Sequence, residues 1–224
     1  MILTPLEFIQ TSPVTKDFPP TEVCALIDTE ELLWYDECEL GIGLYDALKD
    51  DLTAIPDTTA EWSRHKAYAL GDTVTYYGAL LRSKTASNNT EPCLDVDKIH
   101  WEILPKFQTP CVQSAWKHIA LAFSYRLLSL NLVQLTYKIS AKGTTKYSDE
   151  FRQNTSGLVT VERGERHDLQ QSIDMSAERY YIAMIKYLKR AAVDCTVLQA
   201  ASFYESTCNN CKPQNSGRRI AFRK

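Results

Sequence analysis

The chain has 224 residues, 44% of them hydrophobic and 24% charged, with a formal net charge of −3 at pH 7. That length buries a real core in one or two domains, and the composition is that of a globular protein rather than a disordered or collagenous one. No apolar run approaches the ~18 residues of a membrane span, and Met1-Ile2-Leu3-Thr4-Pro5-Leu6-Glu7 has no basic segment leading into an apolar one, so neither a membrane partner nor a secretion signal is expected.

Residues 1–20 hold Pro5, Pro13, Pro19 and Pro20, which predicts an extended arm with at most a helical turn at Leu6–Gln10. Thr21 is placed to cap a helix over Glu22–Leu40 whose inner face takes Val23, Leu26, Ile27, Leu33, Trp34 and Cys38, with Asp28-Thr29 able to divide it in two. Gly41 and Gly43 are stop signals, and Leu44–Leu52 predicts a short helix before Pro56. Val74–Tyr77 and Ala79–Ser83 read as strands joined across Gly78, with Ile99–Leu104 as a third. From Cys111 the apolar residues Val112, Ala115, Trp116, Ile119, Ala120, Phe123, Leu127 and Leu128 recur at three and four, predicting a long helix to about Val133. Leu135–Ser140 alternates like a strand, with Gly157–Val161 as a candidate partner. A last long helix runs from about Glu165 to Ala192, with a seam of Leu169, Ile173, Tyr180, Met184 and Leu188. The fold class expected is therefore mainly α: a helical bundle with a small inserted three-stranded β-module, and a short β-hairpin between the last two long helices. The domain division expected is 1–60 for the arm and acidic helices, 61–105 for the module, 106–194 for the rest of the helical core and 195–224 for a basic tail.

The near-zero net charge hides a polarity. Residues 1–60 carry thirteen acids and two bases, residues 61–107 carry six of each, and residues 108–224 carry nine acids and seventeen bases. Opposite potentials at the two ends of one chain steer identical subunits into head-to-tail contact. The residues expected to carry it are Glu30, Glu31, Asp36, Glu37 and Glu39 against Lys186, Lys189, Arg190, Arg218 and Arg219. The basic tail also suits non-specific contact with DNA phosphates.

Chemistry-bearing motifs are sparse. Cys208-x-x-Cys211 is half a zinc knuckle without a partner pair or a downstream His, so no metal site is expected. The seven cysteines are scattered; Cys24, Cys38 and Cys111 sit in apolar helical contexts and are expected to be reduced and buried. There is no GxSxG, GxGxxG or GxxxxGK[ST], and His65, His100, His118 and His167 fall in unrelated contexts. No catalytic residue and no cofactor are expected.

Trp62, Tyr68, Gly71, Asp72, Val74, Tyr76, Gly78, Pro92 and Trp101 follow in order the pattern Trp, Tyr-x-x-Gly-Asp-x-Val-x-Tyr-x-Gly, Pro, Trp. In this, residues 62–102 resemble the small chitin- and cellulose-binding modules of carbohydrate-binding families 5 and 12. The resemblance implies three short strands around a Trp/Tyr core, and glycan contact through Tyr76 or Tyr77, one of which must face that core. The aromatic pair that follows the second strand in those modules is replaced by Arg82-Ser83-Lys84-Thr85-Ala86-Ser87.

The flanking helices resemble a tailed-bacteriophage head–tail connector, or neck ring adaptor, of the crAss-like phage type. The resemblance rests on the acidic helix, the helix with Trp116, the segment with Ser156-Gly157-Leu158, and the Tyr180-Tyr181-x-x-Met184-x-x-Tyr187-Leu188 stretch. It implies a structural virion protein, assembled in the host cytoplasm, that forms a ring of about twelve copies between the portal protein and the tail, around the DNA channel. A carbohydrate-binding protein using residues 62–102 is the alternative.

Overall fold

The computed structural model describes residues 2–12, 20–38, 40–95, 97–140, 143–146 and 163–205. They form a mainly α-helical protein with a small three-stranded antiparallel sheet. The order is α1 (Pro5–Thr11), α2 (Pro20–Glu37), α3 (Gly41–Asp50), β1 (Thr73–Tyr76), β2 (Ala79–Ser83), β3 (Trp101–Ile103), α4 (Pro110–Thr136), β4 (Tyr137–Ser140), β5 (Gly143–Lys146), α5 (Arg163–Ala191) and the short α6 (Ser202–Glu205).

Helix α4 is the axis of the core. Its apolar residues at three- and four-residue spacing are buried, as expected. On one flank it packs α1 and α2: Trp34 stacks on Phe123 with centroids 4.8 Å apart, and Thr11 Oγ1 donates to Ser124. Its other flank packs α5: Tyr125 meets Tyr180, His118 stacks on Tyr187, and Ser129 Oγ donates to Asp174. Phe123 and Tyr125 are two positions apart, about 200° around a helix. Helices α2 and α5 therefore lie on opposite flanks of α4.

Helix α2 is continuous. Thr29 Oγ1 donates to the Ala25 carbonyl one turn back instead of capping a second helix. Its buried face is Val23, Ile27, Glu31, Trp34 and Tyr35, whereas Leu33, expected inside, is 52% exposed. The helical wheel gives the reason: Leu33 lies six positions from Ile27, about 120° away from the inner face. Gly41 opens α3 at φ +76 rather than ending α2, and a Cβ there would overlap Ser202 Oγ.

Three features depart from expectation at the C-terminal side. The strand β4 pairs with β5, Tyr137 opposite Lys146, so the partner is the segment next in sequence; residues 157–161 lie outside the described residues. Residues 195–203, expected to begin a tail, are part of the core: Cys195, Leu198, Ala201 and Phe203 are buried, and Ser202 N–H donates to the Leu40 carbonyl. Cys111 is disulfide-bonded to Cys195, not reduced as its apolar helical context suggested. Helices α4 and α5 are packed neighbours, so the first turn of α4 meets the chain just past the end of α5.

The β-module is inserted between α3 and α4. Its entry and exit strands are stapled together: Thr53 N–H donates to the Lys106 carbonyl, Gln108 N–H donates to the Asp51 carbonyl, and Leu52 bridges Phe107. The three strands run in the order β1-β2-β3, close to the expected spans. The two-residue turn Tyr77-Gly78 has φ of 45 and 80, the paired positive values of a type I′ hairpin. The module is docked rather than free, because the turn at Pro92–Leu94 packs on α1 and its interior joins the main hydrophobic cluster.

Candidate interaction surface

Most of the charged residues that stand out in the sequence fall into three settings: a buried latch, the module interior, and the outer faces of α2 and α5.

The latch holds the N-terminal segment in the core. Thr4 caps α1 in a capping box with Glu7. The Glu7 carboxylate is paired with Lys106 and accepts from Trp116 Nε1 at 2.7 Å. Lys106 Nζ also donates to the Ile2 carbonyl at 2.7 Å and lies 5.0 Å from the Trp116 ring centre. Burial pushes the Lys106 ammonium below the usual lysine range, against the opposing pull of the Glu7 carboxylate. Glu31 is 2% exposed and accepts from the Ile2 and Leu3 N–H groups at 2.6–2.9 Å. Desolvation raises its pKa, and those N–H donors offset the rise only in part. Glu31 is thus committed to the interior and is not on the acidic outer face where the sequence placed it. A cleft of about 110 Å3 opens beside the latch, between residues 2–7 and the edge of the module, but its charged pair, Glu7 and Lys106, is already mutually satisfied.

Inside the module the motif residues are structural. Tyr68 and Trp101 meet edge to face at 5.5 Å, the Tyr68 hydroxyl accepts from Ser63 N–H, and Trp101 Nε1 donates to the Thr90 carbonyl. Asp72 accepts from Ala69 N–H, closing the turn at Gly71. Tyr76 is buried, with its hydroxyl within hydrogen-bond distance of Cys93 and Glu91; desolvation, reinforced by those two partners, drives its pKa far up. Tyr77 is half-buried, packed edge-on against Tyr76. Tyr76 offers no open face.

The third setting is exposed. The outer face of α2 presents Ala25, Asp28, Thr29, Leu32, Leu33 and Asp36. Leu32 is 49% exposed, and no base occurs on this helix. Glu30 is half-buried, and Glu37 reaches Arg126 of α4 at 4.0 Å. The outer face of α5 presents Met175, Arg179, Ile182 and Lys186, with Met175 63% and Ile182 45% exposed. Glu178 is the one acid between Met175 and Val193, against the bases Arg179, Lys186, Lys189 and Arg190. Lys189 lies over the Phe203 ring, and Arg190 Nε donates to the Lys186 carbonyl. Glu39, Arg218, Arg219, Cys208 and Cys211 lie outside the described residues.

The structure therefore places Asp36, Lys186 and Arg190 on exposed surfaces and withdraws Glu31. The exposed apolar residues Leu32, Leu33, Met175 and Ile182 were missed as surface features. The signal was present: on a wheel anchored on Val23 and Ile27, Leu32 falls between Asp28 and Asp36, opposite Trp34, and Leu33 lies about 100° away from Trp34. Among the described residues no cluster of three or more His, Cys, Asp or Glu is arranged to hold a metal ion, and no helix is long and apolar enough to cross a membrane. No family model, curated protein or solved structure matches this chain.

Proposed function

We propose that the protein is a structural component of a phage neck: a head–tail connector whose copies, about twelve, close into a ring between the portal protein and the tail. The observation that carries this reading is the placement of a wholly acidic α2 and a basic α5 on opposite flanks of α4. A subunit with unlike faces on opposite sides propagates head to tail, and such heterologous contacts close into rings when the rotation permits. The stapled insertion at residues 51–53 and 106–108 also suits an adaptor, since the module can be held on the assembly without interrupting the helical core. The glycan-binding alternative draws no support from Tyr76, which is buried, or from Tyr77, which is half-buried against it.

The test is reconstitution on portal rings purified from the same phage. Electron microscopy is expected to show an added ring beneath the portal. Portal rings that gain no density at any protein concentration would overturn the reading.

A further inference from the structure

The outward faces of α2 and α5 are more than patches of opposite sign. Each combines exposed large apolar side chains with charges of one predominant sign, a composition suited to a protein–protein contact. On α2 exposed Leu32 is flanked by Asp28 and Asp36 one turn before and after, with exposed Leu33 beside it. On α5 exposed Met175 and Ile182 alternate along one stripe with Arg179 and Lys186, with Glu178 at its edge. A shallow depression of about 450 Å3 follows this α5 face, lined by Met175, Glu178, Arg179, Ile182, Ala183 and Lys186. The two faces cannot cover each other within one copy, because their helices lie on opposite flanks of α4.

We propose that the occupant of each face is the other face on a second copy of this chain. Leu32 and Leu33 of one copy seat against Ile182 on the α5 face of the next, between Arg179 and Lys186. Asp28 and Asp36 then fall beside Arg179 and Lys186 at the rim. The inference rests on the connector reading, and it replaces the purely electrostatic contact expected from the sequence: the affinity comes from the leucines, and the charges fix direction and suppress like-with-like pairing of two α2 or two α5 faces. Glu31 takes no part.

Two full-length variants test this. Leu33→Lys blocks the α2 face and Ile182→Glu blocks the α5 face; both positions are exposed, where substitutions change stability little. Wild type is expected to sediment as species that grow with concentration beyond a dimer. Each variant alone is expected to be monomeric. A 1:1 mixture is expected to yield heterodimer and nothing larger, because Leu33→Lys retains an intact α5 face and Ile182→Glu retains an intact α2 face. A mixture that stays monomeric at millimolar concentration overturns the proposal. So does a single variant that self-associates like wild type. No portal is present in this assay, so its failure removes the interface and leaves the connector reading to its own test. Failure of the portal test with a heterodimer still formed removes the connector reading and keeps the interface.

Discussion

Two buried carboxylates show how differently the module and the helical core are built. In the module, Asp95 accepts from the N–H groups of Ile99, His100 and Trp101, four to six residues away. In the core, Glu31 does the same for Ile2 and Leu3, 28 and 29 residues away. The module closes on itself through local bonds such as Asn88 to Ser83 and to the His100 carbonyl. The core is assembled from four distant stretches, with the N-terminal segment sewn in by Glu7, Glu31 and Lys106. A self-contained unit is easy to insert and easy to read; a unit latched across the whole chain is neither.

The largest effect is expected where the two regions share a residue. Lys106 leaves the module and enters the latch, so Lys106→Ala strands the Glu7 carboxylate in the interior. Removing one partner of a buried pair costs about 3–5 kcal/mol. Urea unfolding should show that loss in one transition that takes the module and the helices together. Two separated transitions would show that the latch serves only the helical side. Trp101→Ala tests the opposite claim. It removes a buried ring and its bond to Thr90, at the lower end of the about 3–5 kcal/mol that such truncations cost, because the module can open by itself. Hydrogen exchange should rise over residues 60–104 and stay low over α4. A rise throughout α4 would sink the idea of a self-contained module.

Cys195→Ser sharpens the comparison on the core side. The disulfide closes a stretch of 84 residues that contains α4, β4, β5 and α5, and its loss is expected to cost about 2–4 kcal/mol by releasing the denatured chain. The melting temperature of the oxidised wild type should fall on reduction to that of Cys195→Ser, and the variant should not respond to reductant. Equal melting temperatures in all three cases would mean that the bond contributes nothing to folding.

How far the sequence could be read follows the same divide. Strands β1 and β2, the Gly78 turn and the core roles of Tyr68 and Trp101 were legible because each is fixed by neighbours within a short window. The span of α4 was legible because its apolar period is long and regular. The latch was not, since nothing near Ile2 or Leu3 announces that a glutamate on another helix receives their N–H groups. An acid at position 31 counted as surface charge, and Leu33 was grouped with the inner face although it lies about 100° from Trp34 on the wheel. The pairing of Cys111 with Cys195 was illegible for a related reason: it depends on α4 and α5 being neighbours, which 84 residues of separation do not reveal.

The smallest effect concerns the titration of Glu31. Its folded pKa is raised, so over the window between the ordinary glutamate range and that raised value the folded protein keeps a proton that the unfolded chain has released. With more protons bound in the folded state, stability falls as pH rises through this window. The contribution is fully present below the ordinary range and lost above the raised pKa. Glu31→Gln removes the titration and leaves every other carboxylate in place. The difference in urea midpoint, wild type minus Glu31→Gln, should therefore be largest on the acid side and shrink as pH rises toward neutrality. A difference that instead grows with pH would mean that the Ile2 and Leu3 N–H groups outweigh burial and hold the carboxylate ionised. The long-range site would then be a preformed anion cradle, and the contrast with the local site at Asp95 would lie in sequence distance alone.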